Sequence, residues 1–128
     1  MAANPADRRI YFDPSDVGRA VSDLQNSVAN ALTAKAGGGQ SGATLCSADF
    51  NRFTTVATAA DSALLPAAVA GREILVINAA AANSMNVFPA TGEAINALSA
   101  NAAIAVAAGK TMRFFCAVNG TWNSMLSA

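Results

Sequence analysis

The 128-residue chain contains no histidine, which removes both the commonest general base and the commonest transition-metal ligand. Charge is scarce as well. Only 12% of residues are charged, and eight Lys and Arg balance eight Asp and Glu, so no net field gathers nucleic acid or an anionic membrane. Although 53% of residues are hydrophobic, alanine supplies much of that fraction. No stretch approaches the roughly 18 strongly apolar residues needed to cross a bilayer. The start, MAANPADRR, lacks an apolar core after its basic pair, so synthesis and folding in a cytoplasm are expected. There are only two cysteines, Cys46 and Cys116. Both sit in apolar, strand-like contexts and read as buried thiols, because a reducing compartment disfavours a disulfide.

With so few polar groups, each chemical constellation can be tested in turn. GGGQSG at 37–42 has no Gly-Lys-Ser/Thr ending, and Gly109-Lys110-Thr111 has no upstream glycine at phosphate-loop spacing. A turn before a strand accounts for the latter. Without histidine, a serine or cysteine nucleophile would need Lys35, Lys110 or a carboxylate as its base, and nothing in the spacing pairs them. Asp49, Asp61, Glu73 and Glu93 are scattered singly, so neither a glycosidase pair nor a calcium cage follows. The single Trp122 reads as core. No enzyme activity, cofactor or metal is therefore expected.

What is present is organisation. Residues 14–36 carry Val17, Val21, Leu24, Val28 and Ala31 at spacings of 4, 3, 4 and 3, the seam of a short coiled coil. The spacing predicts a helix closed by Gly37, Gly38 and Gly39. A seam of two heptads must be packed by something else, either further copies of itself or the chain's own domain. Ahead of it, Ile10, Tyr11 and Phe12 form an apolar cluster on an N-terminal arm, suited to packing on its own domain or anchoring in a neighbour. GGGQSG reads as a flexible linker.

Downstream, strands are expected at 43–48, 53–58, 62–65, 72–79, 84–89, 93–98, 103–107, 111–118 and 121–126, separated by turn marks. Asn119-Gly120 marks a two-residue hairpin, since Asn-Gly supplies positive φ angles. The expected fold is mainly β: a small antiparallel β-sandwich or barrel over 43–128, preceded by the arm, short α-helix and linker of 1–42. Alternation sets Met112, Phe114, Cys116 and Val118 against Thr111, Arg113, Phe115 and Ala117, and Ile74 and Val76 against Leu75 and Ile77. Both faces are thus apolar, which points to self-association through Leu75, Ile77 and Phe115.

The run Leu65-Pro66-Ala67-Ala68-Val69-Ala70-Gly71, then Ile74 to Asn78, Val87-Phe88-Pro89-Ala90-Thr91-Gly92-Glu93-Ala94-Ile95-Asn96, and Ala107-Ala108-Gly109-Lys110-Thr111 through Asn119-Gly120-Thr121-Trp122 resembles a β-module of tailed-bacteriophage virion proteins of the head-fibre, capsid decoration and cement type. It covers roughly residues 53–128. The resemblance implies an oligomeric structural subunit on the capsid surface, expected to be a trimer, with the major capsid protein as its partner and the virion as its location. Ile10, Tyr11, Phe12, Val17, Val21, Leu24 and Val28 are then the expected anchoring residues. The alternative is a tail-associated module reading a bacterial surface glycan through Asn83, Ser84, Asn119 and Trp122.

Overall fold

The computed structural model describes residues 25–128. They form ten strands: β1 (Val28–Thr33), β2 (Thr44–Leu45), β3 (Phe50–Thr55), β4 (Ser62–Leu64), β5 (Glu73–Asn78), β6 (Met85–Phe88), β7 (Ala94–Ile95), β8 (Ile104–Val106), β9 (Thr111–Val118) and β10 (Thr121–Leu126). A six-stranded sheet has the order β1-β3-β5-β9-β10-β7, and a four-stranded sheet the order β2-β4-β6-β8.

The pairings correct the expected antiparallel sandwich or barrel. β1, β3 and β5 run parallel to one another, and so do β2, β4 and β6. The chain therefore winds alternately through the two sheets, laying each coil beside the last, as in a short β-solenoid. Val28 stands beside Phe50, Phe50 beside Leu75, and Ser62 beside Asn86. Three coils built from β1–β2, β3–β4 and β5–β6 are followed by a return. β8 lies antiparallel to β6, β9 antiparallel to β5, β10 antiparallel to β9, and β7 closes the far edge parallel to β10.

The helix expected over 14–36 is also corrected. Residues 1–24, with Ile10, Tyr11, Phe12, Val17, Val21 and Leu24, lie outside the described residues, but Val28–Thr33 is strand, and no helix occurs among the described residues. A seam read at spacings of three and four needs a partner along its whole length. Backbone pairing to β3 satisfies this stretch instead, with two register shifts around Leu32 and a positive φ of 59° at Ala31. Spacing alone cannot distinguish these outcomes when the intervening residues are small Asn, Ser and Ala.

The glycine tract at 37–42 joins β1 to β2 within the first coil, and it is not free chain. Gly37, Gly38 and Gly39 all have positive φ, and the Gly37 amide donates to Asp61 Oδ1 (3.2 Å) on the turn of the second coil. Lys35 bridges to Ser62, and Gln40 Nε2 donates to Pro89 O (2.7 Å) and Asn101 Oδ1 (3.1 Å) beyond the third coil. The boundary drawn after residue 42 thus falls inside one hydrogen-bonded coil.

The core fills the space between the sheets. Phe53, Val76, Phe114 and Trp122 come from the six-stranded sheet, and Met85, Val87 and Val106 from the other, in one buried cluster. Phe114 and Trp122 meet edge to face, with ring centroids 6.5 Å apart. Buried Asn51 and Asn78 sit where β-structure gives way to turns. Asn78 Nδ2 donates to Val106 O and Asn83 O while its Oδ1 accepts from the Ala80 amide. Asn51 closes the Ala48 corner in the same manner. Each amide side chain stands in for backbone partners that a coil corner lacks. Asn119-Gly120 does join β9 to β10, but only Gly120 has positive φ (88°). Asn119 instead accepts from the Ala70 amide, and the Gly120 amide donates to Ala68 O, so the hairpin tip is stitched to the 65–71 segment.

Candidate interaction surface

Among the described residues, the four carboxylates are engaged in the fold. Asp49 Oδ2 accepts from the Ser27 amide and hydroxyl, Asp61 from the Gly37 and Thr58 amides, and Glu93 from the Ala68 amide. Glu73 pairs with Arg113 at 2.8 Å across two half-exposed side chains. Both cysteines are free and buried, as expected of structural thiols. Burial raises the Cys46 thiol to about 12, so it stays protonated and unreactive. Gly109-Lys110-Thr111 is a turn leading into β9, with the Gly109 amide bonded to Asn78 O. No group of acidic or thiol side chains able to hold a metal occurs among the described residues. No helix among them is long and apolar enough to cross a membrane.

Three of the four residues considered for glycan contact are similarly occupied, Ser84 being half-buried with no side-chain hydrogen bond among the described residues. Trp122 is fully buried, Asn83 Nδ2 donates to Val56 O and Ala57 O, and Asn119 holds the Ala70 amide.

What remains is surface shape. Inward-facing Ile74, Val76 and Asn78 leave Leu75 and Ile77 on the outer face of β5, and inward-facing Phe114 leaves Phe115 on the outer face of β9. The register brings all three of these expected interface residues together. Leu75 lies opposite Arg113, Ile77 opposite Thr111, and Phe115 opposite Glu73. Followed across the sheet, the row containing Leu75 runs Val28, Phe50, Leu75, Arg113, Met125 over five adjacent strands. Its apolar ends are well exposed, Val28 at 66% and Met125 at 59%. Val28, expected on a helical seam, is therefore the edge of a sheet face. An open cleft of about 300 Å³ lies beside the row, lined by Phe50, Gly71, Arg72, Glu73 and Leu75 among others.

The other sheet carries a shorter apolar row, Leu45, Leu64 and Phe88, on its outer side. Reading strands singly misses Phe50, Met125, Leu45 and Phe88, since each is the one outward-facing apolar residue of its strand. Strand parity could have flagged Met125 through its spacing from Trp122. Only the cross-strand register makes rows of them.

No family model, no curated protein and no solved structure matches this chain.

Proposed function

We propose that this chain is a non-catalytic structural subunit of the surface of a tailed-phage particle, of the decoration or head-fibre kind, self-associating and docking on the major capsid protein. The observation that carries the proposal is the row from Val28 to Met125 on the outside of a sheet, apolar but for the ion-paired Arg113. A second row sits on the opposite sheet, and among the described residues the carboxylates are already engaged and both thiols are buried. A slab with an apolar row on each outer side is suited to being held between partners. The phage part of the reading rests on the resemblance of residues 53–128 to phage β-modules, whose glycines serve as fold markers. Gly71, Gly92, Gly109 and Gly120 of that set stand with positive φ at turns of the stacked coils and their return.

Such a protein acts by mass action. A ligand that binds only the assembled shell raises the stability of that shell in proportion to the logarithm of its concentration over Kd. The test is to add the full chain to phage shells lacking it, follow co-sedimentation, and measure the temperature at which the shells open. Saturable binding with a higher opening temperature is expected. Absence of binding at concentrations where the protein remains soluble and folded overturns the proposal.

A further inference from the structure

We infer that the outer face of the six-stranded sheet is covered by a second copy of this chain, with the Val28–Phe50–Leu75–Arg113–Met125 row at the centre of the contact; the inference gives a location to the self-association in the proposed function and rests on that part of it. Association by strand addition is poorly served here. The edge strand β1 is broken by register shifts, and its Ala31 amide is taken by Asn30 Oδ1 at 2.7 Å. The edges β2 and β7 are two residues long, and β8 is three. Bulged and very short edges resist pairing with another chain. The faces remain.

The composition of the row is that of an interface centre: aromatic, Met and Arg, with no Lys. Two of its three charges close on each other, Arg113 with Glu73, while Arg52 donates to the neutral amide oxygen Asn30 Oδ1 and keeps its charge. A foreign partner would ordinarily be selected by a patch of charge left open for it; this face leaves open only the exposed Arg52, a single solvent-screened charge that costs little when the face meets its own copy. The area also suits. Five strands about 4.8 Å apart, each presenting about six residues at roughly 3.3 Å, span on the order of 500 Å² in projection. A specific pair needs about 1,000 Å² in total from its two partners. One such face on each copy reaches that figure without help from the other sheet.

The experiment is light scattering on the full chain and on three full-length variants, each checked by circular dichroism for an unchanged β spectrum. Leu75→Arg places a charge at the middle of the row. Met125→Glu does the same at an exposed end, where folding has little stake. Leu45→Glu, on the opposite sheet, is the control. The wild type and the Leu45→Glu variant should have the same mass, a multiple of 12.9 kDa, and the Leu75→Arg variant should fall to the single-chain mass. Should Leu75→Arg fail to fold, Met125→Glu decides by the same criterion. A monomeric wild type, or folded row variants that keep the wild-type mass, overturns the inference. Shell binding by a monomer would sink the inference together with the self-association and leave the shell-docking part of the virion proposal standing. An oligomer split by the row variants but unable to bind shells would do the reverse.

Discussion

Replacing Gly38 by alanine distinguishes a docked turn from a flexible linker by the sign of its effect. If 37–42 were free chain, alanine would narrow the unfolded ensemble and leave stability unchanged or raised by about 0.4–1 kcal/mol. In the folded protein Gly38 has φ of +69°, and a Cβ built there lies 2.9 Å from the Ala60 carbonyl oxygen, a backbone atom that cannot swing aside. The left-handed conformation costs an alanine roughly 1–2 kcal/mol, and relieving an over-close contact in packed structure typically costs a further 1–3 kcal/mol. After the unfolded-state gain, a net loss centred on about 2.5 kcal/mol, within about 1–4.5 kcal/mol, is expected. Gly39 is the internal control: its φ is +85°, and an alanine methyl there would meet nothing within 4 Å, so Gly39→Ala should lose about 1 kcal/mol or less. Urea denaturation at one fixed protein concentration measures both, since linked association would otherwise shift the midpoints. For a domain of this size, a Gly38→Ala loss of that order lowers Tm by about 8 °C or more. A Gly38→Ala protein as stable as the wild type, or no less stable than Gly39→Ala, would refute the docked turn.

Further outcomes follow from three interior residues. Asn78→Ala leaves the Val106 and Asn83 carbonyls and the Ala80 amide without their side-chain partner, so roughly 2–4 kcal/mol should be lost in urea titration; a change of less than about 0.5 kcal/mol, the usual size of a surface substitution, would contradict that role. Cys46, raised to about 12 by burial, should resist iodoacetamide at about pH 8, just below the ordinary thiol range, until denaturant is added. Because its folded value lies above the unfolded one near 9.0, its contribution to stability is intact below that unfolded value and falls by about 1.4 kcal/mol per pH unit from there up to the folded one; rapid native-state labelling would show the thiol is not enclosed. The indole Nε1 of Trp122 is buried with no acceptor, so Trp122→Phe surrenders no hydrogen bond and should cost less than about 3 kcal/mol, the lower limit usual for truncation to alanine. Emission of the sole tryptophan should be blue-shifted in the native protein and move red on unfolding; native emission already at the solvent-exposed wavelength would place the ring elsewhere.

Much of the local structure is legible in the residues. Turn glycines and alternating apolar positions place strands at 62–64, 73–78, 85–88, 104–106, 111–118 and 121–126 within a residue or two of their expected bounds, because alternation is a local consequence of pleating. The same alternation separates Phe114 and Cys116, which face inward, from Phe115, which faces outward. Val28 and Ala31 mislead, since a three-four spacing of small apolar residues also fits a bulged edge strand. GGGQSG misleads for a related reason: glycine is required both where the chain is free and where it is held at positive φ.

By itself, then, the sequence determined a mainly β chain with buried thiols, a hairpin at Asn119-Gly120, and outward-facing Leu75, Ile77 and Phe115. Only the tertiary structure decided that the strands stack in parallel coils, because an inward-outward alternation is the same whichever way the neighbouring strand runs. It also decided that Val28, Phe50, Leu75, Arg113 and Met125 form one row. Those five residues are brought side by side by hydrogen-bond register between strands far apart in the chain, and register is set by the packing of the whole core.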